Sequence, residues 1–264
     1  MPIEDHIVHI PLEDKSVLWR YISFSKFQSL LKEKALFFCR ADKFPDPFEG
    51  SITRRESEYR ISEERHITMF NKTPFVLADA LKRIEGLAYT HQNFKRGTTV
   101  NCWHINPNES DAMWQLYLKN NEGVAIQTTK ESLINSLKDA PQKLGISKVR
   151  YLNYETGIWH HHIDYPHQFY NLITPLIHKR IEFEHEKEFR IYHHTSEAER
   201  EGYWDKQPDH IGELIPVHVN VLVEKIYLPP NIDEQTSEKI INVTKHLGHN
   251  FKFVKSSLSL NPYF

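Results

Sequence analysis

Short runs rich in β-branched and aromatic residues punctuate this chain, and between them apolar residues recur at helical spacing. Residues 17–22 form the first such run. Ser23 and Ser25 then offer hydroxyl caps, and Phe24, Phe27, Leu30 and Leu31 share one face, which predicts a helix over 25–34. Residues 35–40 read as a second strand and lead into 44–50, where Pro45 and Pro47 stiffen the backbone on either side of Asp46. Residues 54–94 are charged and helical in pattern, with a break at 71–74. A strand at 98–104 follows, then a polar turn, then a helix carrying Met113, Trp114, Leu116 and Tyr117 with Ser110 or Asp111 as its cap. After a turn at 120–123, the pattern predicts a strand at 124–128, a helix at 130–138 and a strand at 146–154. A helical segment over 166–186, broken near Pro175, runs into a strand at 189–192. Strands at 215–220 and 225–228, a helix at 234–247 and a last short strand at 251–254 complete the chain.

No internal repeat and no regular βαβ rhythm is visible. The expectation is therefore an α+β single domain over 1–264, with a central, mostly antiparallel sheet, flanking helices and an inserted helical region at about 54–94. The 264 residues are 39% hydrophobic and 26% charged with nine glycines, which excludes collagen-like, disordered and membrane-spanning classes. Thirty-three basic against 35 acidic residues give a net charge of −2, so a nucleic-acid surface would have to be a local patch. Two cysteines, Cys39 and Cys102, form no framework. With no basic N-terminal region followed by an apolar run, a cytoplasmic protein without a membrane partner is expected.

The densest chemistry lies at 179–190, where four carboxylates, a histidine and four cations occupy twelve residues and lead into the apolar alternation of Phe189 and Ile191. On a strand, Glu188 and Arg190 share the face opposite those two. The run His160 to His162 reads as an exposed polar loop, because consecutive side chains point apart. His104 has Glu109 and Asp111 nearby but no second His or Cys at a zinc spacing, so no metal is expected. Nucleophile elbows and phosphate-binding glycine loops are missing. What remains is a dispersed set: Arg20 and Tyr21, then Arg40, Asp46 and Glu49, then His104 and Asp111, then Glu186, Glu188 and Arg190. Each has a structural alternative: a snorkelling Arg20, core positions for Trp103 and Trp114, a solvated helix end for Glu184, Glu186 and Glu188, and an Asx-turn at Asp46. Together the charges at strand ends must pair or bind something.

The segments Leu18 to Tyr21, Phe37 to Gly50, Asp111 to Trp114 and Phe183 to Arg190, continuing through Val221 to Leu228, resemble the bacterial family catalogued as domain of unknown function 2971. A looser resemblance is to ADP-ribosyltransferase-like proteins, which carry an Arg or His on the first strand, a hydroxyl or aromatic residue on a middle strand and a Glu on a late strand. Arg20, the segment Cys102-Trp103-His104 and Glu188 occur in that order, although Cys-Trp-His stands where a Ser-Thr-Ser type motif would be.

That resemblance implies an ADP-ribosyltransferase or NAD glycohydrolase, toxin- or defence-associated, with NAD as substrate and an unknown protein or nucleic-acid acceptor. Glu188, His104 and Tyr21 would be catalytic, with Glu188 facing the oxocarbenium-like ribose. Arg20, Trp103 and Arg190 would bind the dinucleotide, Arg20 at its pyrophosphate and Tyr21 or Trp103 beside the nicotinamide. Arg40, Asp46 and Glu49 would form a structural clamp near the site. Arg20 and Glu188 should meet across one cleft with His104 or Trp103 between them; on opposite faces of the sheet the transferase reading falls and a non-catalytic binding module takes its place. A metal-dependent nuclease or phosphodiesterase using Asp46, Glu49, His104 and Glu188 is the other alternative.

Overall fold

The structure, a computed structural model, describes residues 2–118, 122–158, 171–195, 210–260 and 262. Residues 120 and 121 of one expected turn, the histidine run 160–162 and the whole charged stretch 197–209 lie outside the described residues. The chain begins with β1 (Ile3–Glu4) and β2 (Val17–Ser23), then α1 (Phe24–Glu33), β3 (Ala35–Arg40), α2 (Arg54–Phe70) and α3 (Leu77–Arg96). Next come β4 (Thr98–Ile105), α4 (Asp111–Tyr117), β5 (Gly123–Thr129), α5 (Lys130–Ser136), β6 (Leu144–Lys148) and β7 (Arg150–Leu152). The last part holds β8 (His178–Arg180), β9 (Glu188–His194), β10 (Gly212–Pro216), α6 (Val219–Leu222), β11 (Lys225–Leu228), α7 (Glu234–His246) and β12 (Phe253–Lys255).

Local chemistry sets these bounds. The Ser23 hydroxyl accepts from Lys26 N at the start of α1, and Lys34 ends the helix in the left-handed region at φ 50°. Phe27, Leu30 and Leu31 form the buried stripe, each contributing roughly 2 kcal/mol by leaving water. Ser110 caps α4 through Met113 N.

Ten strands form one sheet in the order β1-β6-β9-β4-β2-β5-β11-β12, with β3 and β10 branching off β4. Only β1–β6 and β11–β12 within it are parallel, so the expected mostly antiparallel α+β sheet is present. Its two faces are chemically distinct. Leu18, Ile22, Trp103, Ile126, Phe189 and Ile191 build the large apolar core on one face. On the other, Trp19, Tyr21 and Ala125 pack with Met113 and Trp114 of α4, and Val100 and Tyr192 pack with Ala41 and Leu176.

The sheet forks at β4. One edge of β4 pairs with β9 from Thr98 to His104. The other edge takes β2 at Leu18↔Ile105 and Trp19↔His104, but β3 at Cys39↔Val100 and Arg40↔Thr99. Asn101, Cys102 and Trp103 thus have no strand partner on that edge, and their polar groups need other partners. Asn101 Nδ2 donates to Phe37 O at 2.9 Å, Trp103 Nε1 donates to Asn101 Oδ1 at 2.7 Å, and Arg20 Nη1 donates to Cys102 O at 3.0 Å.

Three expected elements differ. The helix over 166–186 is, in its described part, a 3-10 turn at Thr174–Ile177, the strand β8 and a second 3-10 turn at Ile181–Glu186. Pro175 starts the first turn, and β8 is held by parallel pairing with β7, a long-range contact that local periodicity does not reveal. The strand expected at 146–154 divides at Val149, whose N–H bonds Glu188 O, so its second half joins β8 in a separate sheet. The strand expected at 215–220 runs at 212–216 instead and gives way to α6.

Glu109 ties the C-terminal segment to α4. Its carboxylate accepts from Trp114 Nε1 at 3.0 Å, Ser256 Oγ at 2.7 Å, and Ser257 N and Oγ at 2.6 Å each. Glu109→Ala should lower the unfolding free energy by about 2 kcal/mol in urea titration, because four donors lose one acceptor. An unchanged midpoint would show that water replaces it fully.

Candidate active site

The fork opens a cavity of about 920 Å³ between β2, β3 and β4, closed by the loop 44–50, by α4 and by the segment from β8 to the start of β9. Its walls include Trp19, Phe37, Phe44, Trp103, Tyr117 and Phe183, and its polar groups converge at one end. That end is built by register. His104 pairs with Glu188 and Cys102 with Arg190, so all four side chains leave the same face of the sheet.

Arg190, 1% exposed, anchors the polar group. Its Nε donates to Glu188 Oε2 at 2.7 Å, and its Nη1 donates to Glu49 Oε1 at 2.5 Å and to Leu176 O at 2.6 Å. Lys179 Nζ donates to Glu188 Oε1 and to Glu186 Oε2, both at 2.7 Å. Three carboxylates, Glu49, Glu186 and Glu188, therefore share two cations, Lys179 and Arg190. By direct ion pairs the acids exceed the bases by one, while Lys95, whose Nζ donates to Glu49 O at 2.8 Å, adds a cation on the Glu49 side and not beside Glu186.

The surplus falls on Glu186. Burial and the neighbouring Glu188 carboxylate push its carboxyl up to about 7, against the pull of Lys179. Glu188 goes the other way: burial opposes its ionisation, but Arg190 and Lys179 outweigh burial and hold it well below the usual carboxylate range. Two adjacent carboxyls are thus set apart, one ionised at all ordinary pH and one that takes or releases a proton near neutrality. Burial raises the Cys102 thiol, so it is not a nucleophile at neutral pH.

Backbone geometry aims the pair. Lys187 sits between the two glutamates at φ 41°, and its carbonyl accepts from Ile105 N at 2.8 Å. His104, buried, donates from Nδ1 to Glu186 O at 2.7 Å, which leaves Nε2 to accept from Asn106 at 3.3 Å. Burial lowers the His104 imidazole, so it stays neutral and braces the turn.

Most sequence-expected residues border the cavity, with altered roles. Glu188 is there, held by two cations. His104 is a brace with both ring nitrogens engaged. The Tyr21 hydroxyl accepts from Ser110 N at 2.8 Å and positions α4. Trp103 is core, as its bond to Asn101 and its 1% exposure require. Arg190 belongs to the ion network and is too buried to grip a cofactor. Arg20 and Trp103 leave the sheet on the face opposite Glu188, contrary to the expected approach across one surface; Arg20 reaches the cavity only through the fork, half-buried, with its guanidinium 5.6 Å from the Trp103 ring.

The expected clamp divides into three separate pairs. Arg40 binds Asp42, two residues on, at 2.8 and 2.7 Å, and His210 O at 2.7 Å. Asp46 takes Arg180 at 2.9 and 3.1 Å, and Glu49 takes Arg190. The Arg180 guanidinium lies over Phe48 at 4.8 Å and Phe183 at 5.3 Å. Lys179, Arg180 and Tyr117 were not singled out from sequence; the dense charge of 179–190 was the signal for the first two. Among the described residues no three His, Cys, Asp or Glu side chains group so as to hold a metal ion. No described helix is long and apolar enough to cross a membrane.

The family model described as protein of unknown function DUF2971 matches residues 113–191, the span from α4 to β9 that supplies Tyr117, Lys179, Glu186, Glu188 and Arg190. The resemblance to that family is therefore shown across this part of the chain. No curated protein and no solved structure matches.

Glu186→Gln tests the charge count without chemistry. The folded protein keeps the Glu186 proton between its ordinary value of 4.5 and about 7, whereas the unfolded chain has lost it, so stability falls as pH rises through that window. The neutral variant escapes this loss. At pH 8 it should exceed the wild type by roughly 2 kcal/mol in denaturant titration, with the gap closing toward pH 4.5. A variant less stable than wild type at pH 8 would contradict the surplus charge.

Proposed function

We propose that the cavity binds NAD and breaks its N-glycosidic bond, as an NAD glycohydrolase or ADP-ribosyltransferase. The observation that carries this reading is the Glu186 carboxyl on the cavity wall, which shares its one cation, Lys179, with Glu188, so that a cationic nicotinamide and then a cationic ribose centre would replace its proton. The volume is at the upper end of the range for small-molecule sites and suits a dinucleotide. Arg20 has no carboxylate partner among the described residues and borders the same cavity, which suits a pyrophosphate. Its origin on the face opposite Glu188 is the arrangement expected of a binding module, and its side chain reaches the cavity only through the fork at β4.

In the reaction, the bond between ribose C1′ and the nicotinamide nitrogen breaks and the electron pair leaves with the ring. A water oxygen then bonds C1′, and Glu186 takes the proton that water gives up. Glu188, always ionised, stabilises charge at C1′ and holds Lys179 in place. Wild-type protein incubated with NAD should release nicotinamide, measured by chromatography. Glu186→Gln should lower turnover at least a hundredfold with binding retained, and Arg20→Ala should chiefly raise KM. Wild type that neither binds nor cleaves NAD would end this reading.

A binding module is the second reading, favoured by the two cations that cover both oxygens of Glu188. It predicts NAD binding without nicotinamide release.

A further inference from the structure

Glu188 borders a second space. An open groove of about 480 Å³ lies where β9 leaves the second 3-10 turn, lined by Lys148, Tyr151, His185, Lys187 and Glu184 and sharing Glu188 with the main cavity. Glu188 borders both spaces, whereas Glu186 lines only the main cavity. The left-handed backbone at Lys187 lets Glu186 and Glu188 line the cavity while Lys187 lines the groove. A lysine there is strained relative to glycine or asparagine, and strain of this kind persists only where the surroundings fix it, here through Ile105 N on the Lys187 carbonyl and His104 on that of Glu186. Neither Lys148 nor Lys187 has a carboxylate partner among the described residues. Tyr151, whose hydroxyl accepts from Glu188 N at 2.8 Å, joins the groove wall to the backbone of the reacting residue. The Glu188 carboxylate is already held by Lys179 and Arg190, so Glu184 alone opposes Lys148 and Lys187, and the lysines exceed it by one.

We propose that this groove is an acceptor subsite for a phosphomonoester, which makes the protein a transferase rather than only a hydrolase; the inference rests on the NAD-cleaving reading above. A phosphate oxygen lone pair forms the new bond to ribose C1′ as the bond to the nicotinamide nitrogen breaks. Nicotinamide leaves neutral, the phosphate dianion becomes a monoanionic diester, and no proton, oxidant or reductant is needed. Two lysines suit phosphate as point charges.

The test uses the full chain with NAD and, in separate arms, AMP, a 5′-phosphorylated single-stranded DNA oligonucleotide and the same oligonucleotide without phosphate. Nicotinamide release and the mass of the acceptor are read in parallel. Both phosphorylated acceptors should gain ADP-ribose and the unphosphorylated one should not; a gain by AMP alone places the acceptor among free nucleotides, and a gain by the oligonucleotide alone places it at nucleic-acid ends. Lys148→Ala should lose at least tenfold in transfer while nicotinamide release stays within twofold. Nicotinamide release with no acceptor modified, or transfer unaffected by Lys148→Ala, overturns the subsite. Binding of the phosphorylated oligonucleotide without NAD, measured by fluorescence anisotropy, separates the two readings: binding lost in Lys148→Ala, with no nicotinamide released by any protein, overturns the NAD reading and the transfer step while leaving a phosphate-binding groove.

Discussion

A guanidinium buried in a sheet must be surrounded by acceptors, and Arg190 imposes that demand on half the molecule. It draws Glu49 in from the loop 44–50, Glu188 from its own strand and the carbonyl of Leu176 from the turn before β8. Lys179 then balances Glu188 and reaches Glu186. The cavity wall is thereby assembled from four separated parts of the chain, and its shape and charge come from one set of contacts. A fully balanced network would have been more stable. The third carboxylate leaves it one charge out of balance, next to a space able to receive a cation.

The fork at β4 provides that space. An unbroken sheet would have filled the edge of Asn101 to Trp103 with a neighbouring strand; instead β2 and β3 diverge, and side chains satisfy the open backbone. Arg20 satisfies the Cys102 carbonyl and still faces the cavity. The fork therefore joins two faces that strand alternation would keep apart.

Alternation and caps made much of this legible from sequence. The strand at 35–40 is found at those residues, the Ser110 cap and the break at 71–74 lie as expected, and β9 places Glu188 and Arg190 on the face opposite Phe189 and Ile191. The region before β9 was less legible, because β8 exists only through pairing with β7 and its periodicity mimics a helix. Charge partners were the other gap. Arg40 was matched to Asp46 and Glu49 by nearness in sequence, whereas Asp46 and Glu49 pair with arginines more than a hundred residues away. Composition marks a charged stretch; it does not say which carboxylates must share one cation.

The Glu186 carboxyl is the centre of the account, and its titration can be followed directly by carbon-13 NMR of the side-chain carboxyls, with its signal assigned by substitution. In the free protein Glu186 should titrate near pH 7, and saturating NAD should move its midpoint downward by at least one pH unit as the cationic ring takes the place of the proton. A midpoint near 4.5 in the free protein, or one that NAD leaves unmoved, would contradict it.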